Sequence, residues 1–322
     1  MAELAPGQQL DQYELLDVIA RGGMATIFRA RDRENGQTVA LKVPHLQFES
    51  DIVFHERFLR EEQIGQRLAH PAIIKVLRPQ HKSRMYLAME FVEGERLSDR
   101  LHRERRFAID TAVQLAIQIA DALIYLHEHN VVHRDLKPEN LMIMPDGRVK
   151  LMDFGIALDS TLRKMTWSGL SQTMGTPDYM APEQIKGQRG DARCDIYSLG
   201  AILYEMLTGQ VPFPAENVYT AMRMKVHHAP PTPRRLRPEI PPPLEEVVLR
   251  ALDSDPHGRP ETALELRDLL AHPDSVVLRQ RSTQGTSTSR TPLRTVATLL
   301  GAILGFAAMF WVISLIGSWM LR

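Results

Sequence analysis

Cysteine is almost missing from this sequence: Cys194 stands alone. A single thiol closes no internal disulfide and builds no cysteine-based zinc site. The chemistry-bearing part is therefore expected to work in a reduced, intracellular setting. Excess charge is missing as well. The 39 Lys and Arg residues balance 39 Asp and Glu, so there is no bulk positive field, and no nucleic-acid partner is expected. The N-terminus lacks a basic stretch followed by an apolar run, which argues against a secretory signal there. Internal repeats are absent. What is present is ordinary. With 44% hydrophobic and 24% charged residues among 322, a disordered or fibrous chain is excluded, and the length allows two packing units or one bilobal unit.

The C-terminal end departs from that average. Thr295 to Leu321 carries no charged residue. At about 1.5 Å per residue it makes roughly 40 Å of helix, enough to cross a hydrocarbon core of about 30 Å with some tilt. A transmembrane helix over 295–321 is expected, with a buried soluble helix as the other reading. Arg279, Arg281, Arg290 and Arg294 precede the span and only Arg322 follows it. The positive-inside rule then predicts a single-pass protein of the inner or plasma membrane, its N-terminal bulk cytoplasmic. Gly301 and Gly305 have the spacing that lets two membrane helices approach, which fits a homodimer or lipid-facing glycines equally. Residues 273–294 read as a juxtamembrane linker, with Ser282 to Thr291 as a flexible tether, so the folded domain is expected to end near His272. Ala229 to Pro243, rich in proline and arginine, reads as an irregular connection between two helices or as a proline segment for a partner.

Near the N-terminus, Tyr13 to Ile19, Thr26 to Ala30 and Thr38 to Val43 have strand patterns. Arg21-Gly22-Gly23 and Asn35-Gly36 supply the turns. Lys42 lies on an otherwise apolar strand, Val39-Ala40-Leu41-Lys42, and a buried lysine needs an anionic partner. Glu61 follows on an amphipathic helical stretch. A Lys–Glu pair holding nucleotide phosphates explains both residues; a glutamate on a solvated helix face is the alternative.

Three further motifs follow in order. His133-Arg134-Asp135-Leu136-Lys137-Pro138-Glu139-Asn140 comes after the helical run Thr111 to His129. Asp153-Phe154-Gly155 follows the short strand Val149 to Met152. Gly175-Thr176-Pro177-Asp178-Tyr179-Met180-Ala181-Pro182-Glu183 comes next. This set matches the protein-kinase signature. From about residue 10 to 272, the sequence resembles a eukaryotic-like (Hanks-type) bacterial serine/threonine protein kinase of the membrane-anchored kind. The resemblance implies an α+β bilobal fold: a β-rich small lobe over about 10–91 and a helical large lobe over about 95–272.

Phosphoryl transfer asks mainly for positioning and charge neutralisation. Asp135 suits acceptance of the proton of a substrate hydroxyl. Asn140 and Asp153 are hard oxygen ligands for Mg²⁺ or Mn²⁺. The resemblance implies that Lys42 holds the α/β-phosphates of ATP, that Glu61 keeps Lys42 in place and that Lys137 steadies the γ-phosphate. It also places Gly22 and Gly23 in the phosphate-covering loop. Ile19, Ile27 and Ala40 would form the roof over adenine, Met142 the floor and Met89 the gatekeeper, with linker backbone at Glu90 and Val92 bonding the adenine edge. Ordinary core packing is the alternative for each apolar residue. The resemblance further implies that Lys137 and Thr176 favour Ser/Thr over Tyr hydroxyls of protein substrates. Asp195 is expected to anchor the backbone near His133 and Arg134, and Arg259 to pair with Glu183, both as scaffold; His133 is expected to pack rather than act as a base.

The sequence departs from the family pattern in one place. Where the glycine-rich loop reads G-x-G-x-x-G, the first and third glycines are Ala20 and Ala25. Alanine resists positive φ, so a stiffer loop and weaker nucleotide binding are expected. This feature supports the alternative of a membrane-tethered pseudokinase; phosphorylation of a small molecule is a third reading. Arg134, next to Asp135, suits pairing with a phosphate on the following segment. Thr166, Ser168, Ser171 and Thr173 are the candidate sites of autophosphorylation there.

Overall fold

A computed structural model describes residues 3–153, 177–188 and 190–279. Five antiparallel strands form the first sheet in sequence order: β1 (Gln9–Leu10), β2 (Tyr13–Arg21), β3 (Ala25–Asp32), β4 (Thr38–Pro44) and β5 (Leu87–Glu90). Alternate side chains of a strand point to opposite faces, and here the two faces serve two cores. Phe28, Val39, Leu41, Val43 and Ala88 pack into an upper core with Tyr13 and Tyr86. Ile27, Ala40 and Met89 face the other way, into the larger core. Lys42 is in register with Ile27, and Ala40 with Met89.

Helices α1 (Leu46–Glu49) and α2 (Ile52–Gly65) lie between β4 and β5. Asp51 caps α2 by accepting from the amides of Val53 and Phe54, satisfying two of the four N–H groups a helix start leaves unpaired.

The second lobe is helical. After the short strand β6 (Glu95–Arg96) come α3 (Leu97–Glu104) and α4 (Ile109–Glu128). Strand β7 (Leu141–Ile143) pairs with β6 on one side and β8 (Val149–Leu151) on the other in a three-stranded sheet. Then follow α5 (Pro182–Ile185), α6 (Arg193–Thr208), α7 (Val218–His227), α8 (Pro233–Leu236), α9 (Pro242–Ala251) and α10 (Ala263–Ala271). Helix α6 is buried almost all round, from Cys194 to Leu207, as its apolar composition on every face requires. Gly200 lets it approach α9: a Cβ there would sit 2.7 Å from the Cβ of Ala251. Among the described residues, Ile109–Glu128 is the one helix long and apolar enough to cross a membrane. Its apolarity has another cause, because Ala112, Leu115, Ala116, Ile119, Leu123 and Leu126 fill the core.

The packed region runs past His272, through a 3₁₀ turn at Pro273–Ser275 to Val276, which joins the core. The proline-rich connection is less irregular than its composition suggests. Pro233 and Pro242 start short helices, where a fixed φ and a missing N–H cost nothing. Arg237 anchors the stretch by donating to the carbonyls of Phe107 at 2.7 Å and Leu207 at 3.0 Å. The expected tether and the expected membrane helix over 295–321 lie outside the described residues.

Candidate active site

The site lies between the two lobes, where β4, α2 and the ends of β7 and β8 meet. Lys42 Nζ donates to Glu61 Oε1 and to Asp153 Oδ1, both at 2.9 Å. Lys42 is 20% and Glu61 14% exposed. Burial alone would push the ammonium down, but Asp153 and Glu61 more than offset this and hold it above its usual range. The two carboxylates diverge. Burial and the neighbouring Asp153 raise Glu61, whereas the Lys42 charge holds Asp153 below the usual carboxylate range. The cluster is thus one retained cation between two acids, the more exposed of which, Asp153, faces the cleft.

The loop from His133 to Asn140 carries the second group. Asp135 Oδ2 accepts from Lys137 Nζ at 2.7 Å and from Asn140 Nδ2 at 3.3 Å. Asn140 Nδ2 also donates to the Asp135 carbonyl at 2.8 Å, which leaves the Asn140 side-chain oxygen for another partner. Met152 N donates to the Asn140 carbonyl at 2.8 Å, tying this loop to the strand that delivers Asp153. His133 is fully buried. Its Nδ1 accepts from Asp135 N at 3.3 Å, and its Nε2 lies 3.4 Å from the Met152 carbonyl.

Two residues here hold left-handed backbone without being glycine: Arg134 at φ 63° and Asp153 at φ 42°. Such a conformation costs about 1–2 kcal/mol per residue. Asp195, fully buried at the start of α6, offsets it at Arg134. Its carboxylate accepts from Arg134 N at 2.7 Å, His133 N at 2.9 Å and His127 Nε2 at 2.8 Å. Burial tends to raise Asp195, but the bonds from His127 and these amides prevail and its pKa is lowered. Arg134 Nε, buried, has no hydrogen-bond partner among the described residues.

The segment after the undescribed stretch is held from below. Arg259 meets Glu183 in a bidentate pair, both bonds 2.7 Å, with 0% and 7% of the two side chains exposed. Gln184 Nε2 donates to the Arg134 carbonyl at 3.0 Å, joining this segment to the loop of Asp135.

Ala40 and Met89 are buried, Ile27, Val92 and Met142 half-buried, and Ile19 is 44% exposed. The Glu90 amide donates to the Lys75 carbonyl at 2.9 Å, so an adenine edge at Glu90 would meet its carbonyl. The side chain of Glu90 turns away and accepts from Lys75 N and from Lys150 Nζ. Gly22 and Gly23 are exposed at the tip between β2 and β3, and neither has positive φ. Ala20 and Ala25 sit in register with Ile27 and Pro44 as extended strand residues. The conformational objection to alanine at these positions therefore disappears. Thr176, Phe154, Gly155, Thr166, Ser168, Ser171 and Thr173 lie outside the described residues.

The donor set suits a hard divalent cation. Asn140 offers an amide oxygen and Asp153 a carboxylate. No group of three or more His, Cys, Asp or Glu side chains among the described residues could hold a metal unaided. A Mg²⁺-type site, completed by substrate phosphates and water, needs no more.

Several contacts carried no signal in sequence. His127 reaches Asp195 across 68 positions, and Tyr179 donates its hydroxyl to Glu205 at 2.5 Å. Lys225 did leave a trace: it is a charge on the buried face of α7, beside Ala221 and Met222.

Lys42 of the first sheet, bridged to Glu61 and to Asp153 after β8, lies beside the loop that carries Asp135, Lys137 and Asn140. The family model of the protein kinase domain matches residues 13–273, and the chain belongs to that family. It is 38% identical over 269 residues to the serine/threonine-protein kinase PknB of Mycolicibacterium smegmatis, covering 81% of this chain and 43% of that protein. With PknB of Mycobacterium tuberculosis the identity is 37% over 272 residues, again 81% and 43%. The chain thus spans less than half the length of these relatives. A solved mutant form of the Mycobacterium tuberculosis PknI kinase domain superposes with a TM-score of 0.66 at 25% identity, covering 85% of this chain and all of that one.

Proposed function

We propose that this protein is a serine/threonine protein kinase that transfers the γ-phosphate of ATP to Ser or Thr hydroxyls of protein substrates. The observation that carries the reading is the Glu61–Lys42–Asp153 bridge facing Asp135, Lys137 and Asn140. The relatives named as serine/threonine-protein kinases support it.

In this reading Lys42, kept cationic by two acids, holds the α/β-phosphates, and Glu61 fixes its position. Gly22 and Gly23 cover the phosphates with backbone. Ile19, Ile27, Ala40 and Met142 enclose adenine, and the backbone at Glu90 and Val92 bonds its edge. Asp135 orients the acceptor hydroxyl and takes its proton. Lys137, already within hydrogen-bond distance of Asp135, steadies the transferred group. Asn140 and Asp153 hold Mg²⁺ or Mn²⁺, whose charge offsets that of the phosphates. Thr176 contacts the acceptor. A phosphate on Thr166, Ser168, Ser171 or Thr173 would find its partner in Arg134, whose buried Nε has none among the described residues.

The kinase domain, from residue 10 through the packed turn that ends at Val276, is followed by the linker up to residue 294 and by a single membrane-anchoring helix over 295–321. The uncharged stretch and its basic N-terminal flank support that assignment. Homodimers formed through this helix would promote autophosphorylation in trans.

The test is phosphorylation by the full chain with labelled ATP and Mg²⁺ or Mn²⁺. Label in the wild type that is lost in Lys42→Met and Asp135→Asn supports the reading. Equal label in all three refutes it, and no label in a wild type reconstituted in lipid favours the pseudokinase.

A further inference from the structure

Lys225 is a buried cation that the site described above does not use. It lies on α7, is 1% exposed, and its Nζ donates to three backbone carbonyls: Pro177 at 2.5 Å, Asp178, and Met180 at 3.3 Å. An ammonium has three N–H donors, and three acceptors are met here by one loop. Among the described residues no salt bridge to a carboxylate accompanies them; Asp178 acts on it as a nearby charge. The Tyr197 ring lies 5.9 Å from Nζ on one face, while the Arg259 guanidinium lies 5.0 Å from the same ring. Two buried cations thus flank one aromatic ring and hold successive stretches of one segment, Arg259 through Glu183 and Lys225 through residues 177–180.

A buried lysine is costly, and an apolar side chain would pack between α6 and α7 at less expense. What an apolar residue would not do is fix the loop backbone. That loop directly follows Thr176, and through Gln184 its continuation bonds the Arg134 carbonyl, one residue before Asp135. We infer that Lys225 is a positioning residue for the protein substrate, clasping residues 177–180 in the shape that receives the chain around the acceptor hydroxyl. The inference rests on the kinase reading and deepens it: Lys225 governs engagement of the protein substrate and leaves ATP binding alone, because among the described residues its hydrogen bonds go to Pro177, Asp178 and Met180 and not to Lys42, Asn140 or Asp153.

Burial pushes the Lys225 ammonium down to about 7, with Asp178 opposing. The ionisable groups around the clasp are Asp178 and Tyr179 of the loop, Tyr197 and Glu205 of α6, and the Glu183–Arg259 pair beyond the Tyr197 ring. Loss of the proton leaves two donors and a lone pair facing three carbonyls, so the clasp weakens as pH rises through that value.

The experiment uses the full chain in lipid, as wild type, Lys225→Met and Lys225→Arg, with thermal unfolding to verify folding. Initial rates are measured with a protein substrate varied at saturating ATP, and with ATP varied at saturating substrate. Both variants should raise the KM for the protein substrate about tenfold while the KM for ATP moves less than about twofold. An unchanged KM for the protein substrate, or equal shifts in both KM values, overturns the inference. If neither variant folds, the wild type decides: between pH 6 and pH 8.5 the ratio of the two KM values should rise, and a flat ratio overturns the inference. A folded wild type that phosphorylates no protein removes the kinase reading itself and the inference with it. That result is distinguishable, because the wild type fails before any variant is compared.

Discussion

Asp195→Asn is the substitution whose consequence follows most directly from geometry. The carboxylate accepts three hydrogen bonds at 2.7–2.9 Å from Arg134 N, His133 N and His127 Nε2, with no exposure to water. Asparagine has nearly the same shape but replaces one acceptor oxygen with an NH₂ group, which must then face an N–H. At least one charge-assisted bond, worth about 1.5–3 kcal/mol, is lost and a buried donor is left unsatisfied at a further cost of about 1–3 kcal/mol. The left-handed backbone of Arg134 also loses its support. A destabilisation of about 2.5–6 kcal/mol results, read as a lower midpoint in urea unfolding with an unchanged slope. The pH dependence has a definite sign. The folded carboxylate has a pKa below its ordinary 3.8, so its contribution is present above that value and is lost as pH falls below it. The wild-type advantage over Asp195→Asn should therefore shrink below about pH 4. A loss under about 1 kcal/mol at pH 7 would refute the view that Asp195 supports the loop.

Four further outcomes are expected. Glu183→Gln strands the Arg259 charge in a site with 0% exposure and should cost about 3–5 kcal/mol; a melting temperature equal to wild type would contradict this. Asp135→Asn should lower kcat about 10²–10⁴-fold with little change in the KM for ATP, measured by initial rates. Ala25→Gly, at an extended strand position paired with Pro44, should cost about 0.5–1 kcal/mol by urea unfolding and leave ATP affinity within about threefold; tighter ATP binding would show that the alanine hinders the loop. The full chain should float with liposomes in a density gradient, whereas residues 1–279 should not; flotation of both would point to a membrane contact outside residues 295–321.

The site was readable in sequence wherever chemistry demands particular residue types at short spacing. Lys42 is conspicuous because an apolar strand carries it, and its partner Glu61 lies on the helical stretch that follows. Asp135, Lys137 and Asn140 share one loop, so their mutual bonds follow from their closeness in the chain. The apolar run around Lys42 marks β4 as a strand with no solvated face, and the structure gives each of its faces a core. Less readable were features set by backbone and by distance. Ala20 and Ala25 look strained against a glycine pattern, yet pairing of β2 with β3 and of β3 with β4 keeps both extended. The packed region extends to Val276 because α9 and α10 present a surface that the local sequence does not reveal.

What the residue order determined alone was the chemistry: which side chains carry charge, which strands are two-faced, and which loop holds acid, lysine and amide together. The tertiary structure decided who holds that loop still. Asp195 meets the backbone of His133 and Arg134 from more than 60 positions away, and Lys225 meets three carbonyls 45 to 48 positions before it. A carbonyl is the same on every residue and leaves no mark in a sequence. Only the packing of α6 and α7 within the helical lobe brings a buried charge to it.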